Sequence, residues 1–123
     1  MAITLTTRAK NAALNGIVDE IDSGGSAGTL QILDSGDNEL ATLPLTNPAF
    51  GAADSGSVSA NAITTDNTIN AGTATQFKVF NSGGSEIFRG TVTNTGGGGD
   101  LTLTNVNLFV GDRLAVSSFT ITI

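Results

Sequence analysis

The acidic side chains are the first residues of this sequence to weigh for chemistry. Asp19, Glu20 and Asp22 fall together, and Asp34, Asp37, Asn38 and Glu39 place several oxygen donors in one short segment. Converging carboxylates serve as acid/base pairs, and oxygen-rich loops hold hard cations such as calcium. Neither cluster has the required pattern. Asp19, Glu20 and Asp22 read as a solvated helix end, and the spacing across 34–39 is that of a hairpin turn, not of an EF-hand. Gly96 to Gly99 followed by Asp100 suggests a phosphate loop, yet no Gly-Lys-Ser/Thr follows, and Leu101-Thr102-Leu103 begins a strand instead of a helix. Asp34-Ser35-Gly36 and Asp54-Ser55-Gly56 each offer a serine beside an acid, but the chain has no His to activate it. Lys78 and Arg89 read as solubilising charges on the outer face of a hairpin.

The missing residue types exclude more than the motifs suggest. With no His and no Cys, the Ser-His-Asp and Cys-His arrangements and the usual zinc sites cannot be built. No Cys also means no disulfide framework, and no Trp or Tyr removes the aromatic platforms on which sugars stack. A net charge of -6 with only 5 Lys and Arg, scattered at Arg8, Lys10, Lys78, Arg89 and Arg113, argues against nucleic acid. The expectation is no enzyme, no catalytic residues, no cofactor and no metal. No apolar run approaches the roughly 20 residues that span a bilayer, and residues 1–10 lack a basic stretch followed by an apolar signal core, so no membrane association is expected.

Charged residues make up 13% of the chain, about half the usual share, and Thr, Ser, Asn and Gly fill the polar positions. A neutral polar surface can be covered by a partner without stripping water from many full charges, so the composition suits assembly. Length and the absence of a boundary or internal repeat indicate one domain, 1–123.

Residues 1–7 alternate as an extended arm or strand. Over 8–23, Ala9, Ala13, Ile17 and Ile21 recur every four positions beside Leu14 and Val18, which predicts a helix capped by Thr6 or Thr7 and stopped by Ser23-Gly24-Gly25. Gly16 weakens it. From residue 28 the period falls to two, with strands predicted near 29–33, 40–46, 57–64, 75–80, 86–93, 101–110 and 114–123. Pro44 places its strand at an edge or bulge. The odd positions Leu101 and Leu103 give way to the even positions Val106, Leu108 and Val110, so a break is needed near Thr104 and Asn105. The apolar strand ending at Ile123 is expected inside a sheet or under a neighbour. The predicted fold is all-β: a jelly-roll-like antiparallel β-sandwich over 28–123 with one N-terminal α-helix.

Several segments, in order, resemble a family of small virion proteins of tailed bacteriophages, some of them capsid cement or decoration proteins. They are Arg8-Ala9-Lys10-Asn11-Ala12-Ala13 with Ile17-Val18-Asp19, Gly28-Thr29-Leu30-Gln31-Ile32, Leu45-Thr46-Asn47-Pro48-Ala49-Phe50-Gly51-Ala52-Ala53, Ala60-Asn61-Ala62-Ile63, Asp100-Leu101-Thr102-Leu103 and Ser117-Ser118-Phe119-Thr120. The resemblance spans nearly the whole chain and implies a part made in the bacterial cytoplasm and carried on the capsid surface. It implies major capsid protein and other virion proteins as partners, and a homo-oligomer, dimer or trimer. A tail, collar or head-tail connector component is the alternative within the virion, and a carbohydrate-binding module the alternative outside it. Ile3 and Leu5 in the arm, Pro48 and Phe50 in one loop and Ile69 in another are the candidate interface residues, because each is apolar where loops are ordinarily polar.

Overall fold

A computed structural model of the chain describes residues 3–116 and 118–123. The start of the predicted arm, Met1 and Ala2, and Ser117 of the last predicted strand lie outside the described residues. The chain is mostly β with one helix, and its main sheet is largely antiparallel.

Helix α1, Thr7–Ile21, begins where the sequence places it: the Thr6 hydroxyl accepts the Ala9 N–H at 3.2 Å. It ends before Gly24 and Gly25, whose φ values of 92° and 79° suit residues without a Cβ. The buried face is Leu14, Val18 and Ile21 with Ile17 beside it, whereas Ala9 and Ala13 of the expected stripe are exposed. The large side chains win that face because they remove more apolar area from water. Gly16 lies on the solvent side, and a Cβ there meets nothing within 4 Å. Gly16→Ala is therefore expected to stabilise the protein by about 0.5–1 kcal/mol. A urea titration should show a higher midpoint at unchanged slope, and an unchanged or lower midpoint refutes the prediction.

The strands are β1 (Thr29–Leu33), β2 (Glu39–Pro44), β3 (Ser57–Ser59), β4 (Gly72–Thr73), β5 (Gln76–Phe80), β6 (Glu86–Asn94), β7 (Leu101–Leu103), β8 (Asn107–Leu108) and β9 (Thr120–Thr122). Five of them form one sheet in the order β2-β1-β5-β6-β7, and β3-β9 and β4-β8 pair as two ribbons among the described residues. Register aligns the sheet into rows. Leu43, Leu30, Val79 and Phe88 form one apolar row, and Ala41, Ile32, Phe77 and Gly90 the next. The row between them, Thr42, Gln31, Lys78 and Arg89, faces the other way and is polar. This alternation is what period-two patterning produces when one face is buried.

β2 is an edge strand and carries Pro44 at its end, as the proline requires. The Asn47–Pro48 peptide is cis. The predicted strand 101–110 divides into β7 and β8 around residues 104–106, and 57–64 shortens to β3 with a single further bridge from Phe50 to Ala60. One pairing departs from the antiparallel expectation. β6 and β7 run parallel, joined only by residues 95–100, whereas a parallel connection ordinarily takes a dozen residues or more. Gly96 and Gly98, at φ 90° and 83°, allow the short return. Thr93 anchors it by accepting the Gly99 N–H at 3.0 Å.

The core is one cluster, to which α1 gives Leu14, the sheet Leu30 and Phe77, and the two ribbons Val58 and Leu108. Phe119, just before β9, stands 5.2 Å from Phe77 and 5.7 Å from Phe50 between ring centroids, so it joins the ribbon to the sheet. No helix among the described residues is long and apolar enough to cross a membrane.

Candidate functional site

Two of the predicted interface residues are core residues, which corrects the sequence reading. Phe50 is 2% exposed and packs on Phe119, while its backbone bridges Ala60. Ile69 is 3% exposed: its neighbour Asn70 donates its backbone N–H to the Leu40 carbonyl and its side-chain amide to the Glu39 carbonyl, which pins the loop onto β2. A lone apolar residue in a polar loop serves here as an inward plug. Pro48 is exposed, with its carbonyl accepting from Thr46 and Asn61. Ile3 and Leu5 are exposed at 73% and 43%.

A second apolar point was hidden in the predicted strand 101–110. Phe109 and Val110 are 62% and 77% exposed on the turn that follows β8. That turn is closed on both sides. The Asp112 N–H donates to the Phe109 carbonyl at 3.0 Å, and the Asp112 carboxylate accepts the Phe109 N–H at 3.1 Å. Gly111 takes the φ of 95° that such a turn demands at its third position. Two large apolar side chains are thus held out into solvent on a fixed backbone. The available signal was Phe-Val directly before Gly-Asp, since the turn captures both residues before the strand alternation can bury them.

The polar groups singled out in the sequence are used locally. One Asp34 carboxylate oxygen accepts the N–H groups of Gly36 and Asn38, both at 2.9 Å, and the other the Asn38 amide, so the oxygens a cation would take hold the turn together. Arg89 grips Glu86 with two bonds of 2.8 and 3.0 Å, and Lys78 approaches the same carboxylate at 3.7 Å. Asp100 accepts the backbone N–H and the hydroxyl of Thr91. The loop at 53–56 is tied to α1 by Asn11 and Asn15, whose side-chain carbonyls accept the Gly56 and Ala53 N–H groups.

Asp66 joins three segments. Its carboxylate accepts the Thr42 and Thr68 N–H groups, both at 2.9 Å, and its backbone bridges Leu114. Those N–H groups, Thr42 first, hold the Asp66 carboxyl below its ordinary pKa. The Asn38 N–H does the same for Asp34, and the Arg89 guanidinium for Glu86. A carboxyl with a lowered folded pKa adds stability that is complete above its unfolded pKa and disappears as pH falls through the folded one. The melting temperature should therefore hold from pH 8 to 5 and fall below about pH 4. Asp66→Asn should make that fall shallower, and circular dichroism melts that stay level down to pH 2.5 in the parent protein contradict the assignment.

The chain is thus mostly β with one helix, and its exposed large apolar side chains are Ile3, Leu5, Phe109, Val110 and Ile123 among the described residues. Comparison with family models, with curated proteins and with solved structures finds no match to this chain.

Proposed function

We infer that the chain is a non-enzymatic structural component of a tailed-bacteriophage virion. In this reading it is a capsid cement or decoration protein that binds between major-capsid subunits on the head surface, itself as a dimer or trimer. The observation that carries the reading is the pairing of a weakly charged polar surface with separate apolar points, Ile3 and Leu5 at one and Phe109 and Val110 at another. Many weak contacts repeated over a lattice add through effective concentration, and neutral polar rims lower the desolvation cost of each. The ordered segments resembling small virion proteins support the same conclusion. The finer architecture belongs to this reading too: ribbons β3-β9 and β4-β8 act as the second layer of a jelly-roll-like sandwich over the five-stranded sheet. The change of inward phase between β7 and β8 supports it.

Heads assembled without the protein should lose resistance to heat or low salt and regain it when the purified protein is added back. Electron microscopy of complete particles should place it on the head shell. Its presence in tails alone would move it to the tail or collar, and its absence from particles would end the virion reading.

A further inference from the structure

Beside β9 a cleft of about 210 Å³ opens between that strand and the sheet, with Phe88, Phe119, Ile121 and Asp100 among its lining residues. Drug-sized ligands ordinarily occupy some 300–1,000 Å³, so this cleft has room for one large side chain and little more. β9 pairs with β3 along one edge, and its other edge pairs with no strand among the described residues.

The Phe109 and Val110 tip has the matching form. It is a fixed apolar knob followed, after Gly111, by Asp112 and Arg113, and the cleft lining includes Asp100, an acid that could meet the base. Asp100 keeps one carboxylate oxygen to offer. It engages Thr91 through Oδ2 alone, whereas Arg89 is held by Glu86 on the polar face of the sheet. Arg113 makes no salt bridge among the described residues. Phe109 is 62% exposed, so the knob does not fill the cleft of its own chain.

We propose that copies of this chain associate head to tail, the Phe109 and Val110 tip of one seated in the β9 cleft of the next, with Arg113 facing Asp100. This deepens the assembly reading above by naming the contact between copies. Knob and cleft are different surfaces, so the contact is heterologous: it closes into a ring where the rotation permits and otherwise extends as a chain. One knob in one cleft buries less than the roughly 1,200 Å² of a stable pair, so association is weak until closure makes every copy hold two neighbours.

Because the chain has no cysteine, single introduced cysteines report the contact cleanly. Val110→Cys and Thr120→Cys, both at exposed positions, are purified separately, checked by circular dichroism and mixed under mild oxidation. The expected product is a disulfide dimer formed only in the mixture. Dimers of Val110→Cys alone indicate a two-fold tip-to-tip contact and overturn the proposal. Cross-linking of Thr120→Cys to Ile3→Cys instead puts the arm in the cleft and overturns it as well, as does the absence of any product. In sedimentation velocity the parent protein should associate with rising concentration, and Phe109→Ser should weaken that at least about tenfold, as loss of an aromatic anchor does. These measurements use purified protein, so their failure leaves the particle location open, and a failed particle experiment leaves this contact standing.

Discussion

Replacing Phe77 by alanine is expected to remove about 3–5 kcal/mol of stability, the range for deleting a buried aromatic side chain. Phe77 is 1% exposed and meets Phe88 and Phe119 edge-on at 6.0 and 5.2 Å. It sits in the apolar row Ala41, Ile32, Phe77, Gly90, where the missing Cβ of Gly90 makes room for its ring: a Cβ there would lie 2.7 Å from it. With alanine at position 77, Gly90 on one side has no side chain to spread into the void and Ile32 on the other is itself fully buried, so the cavity persists and its cost adds to the lost transfer energy. Domains of this size hold about 5–15 kcal/mol in total, and the melting temperature should fall by about 10–20 °C. Phe77→Leu retains most of the volume and should recover more than half of the loss. A fall below about 3 °C in Phe77→Ala would mean that Phe77 is not the joint between sheet and ribbon.

Gly28→Ala should be costly for a different reason. Gly28 is buried where the chain enters β1, and its carbonyl accepts the Leu45 N–H at 3.0 Å. An added Cβ would overlap the carbonyl oxygen of Phe80 and press on Ile21 at 3.2 Å. Phe80 is paired with Thr29, so its carbonyl cannot retreat without opening the β1-β5 ladder. Overpacking of this kind costs about 1–3 kcal/mol, and collision with backbone instead of a yielding side chain places it at the upper end. Denaturant titration of Gly16→Ala and Gly28→Ala side by side should show opposite signs for the same chemical change. Equal effects would count against the close approach of the helix end to β5.

The elements best legible in the sequence are those decided by local chemistry. Thr6 caps the helix, Gly24 and Gly25 stop it, β1 matches its predicted span of 29–33 and β5 falls within 75–80. The break between Leu103 and Asn107 followed from the change of phase alone. What stayed hidden depends on contacts between distant residues. β4 is two residues long, Gly72 and Thr73, and exists only because β8 pairs with it, so no periodicity announces it. The parallel course of β7 depends on where a glycine-rich return delivers the chain. Of the five residues predicted for an interface, Ile3, Leu5 and Pro48 are exposed, while Phe50 and Ile69 plug the core. An apolar residue in a loop does not announce which way it points until the rest of the fold supplies or withholds a hollow for it. Phe109 and Val110 show the converse, since the alternation of Val110 with Leu108 drew both into a predicted strand while Asp112 had already claimed them for a turn.

The pairings of β3 with β9 and of β4 with β8 set an order in time. The β5-β6 hairpin closes a loop of residues 81–85, whereas β3 meets β9 only after residues 60–119 have been looped out, about twelve times as many, at roughly 2 kcal/mol of extra closure entropy. Non-local pairs of this kind form slowly, after the hairpins beside them. β9 walls the cleft, and β8 carries the knob. The wall of the cleft therefore arises in the last steps of folding, whereas the Phe109 turn is closed by bonds to Asp112 three residues away, so a half-folded chain has the knob and no cleft to receive it.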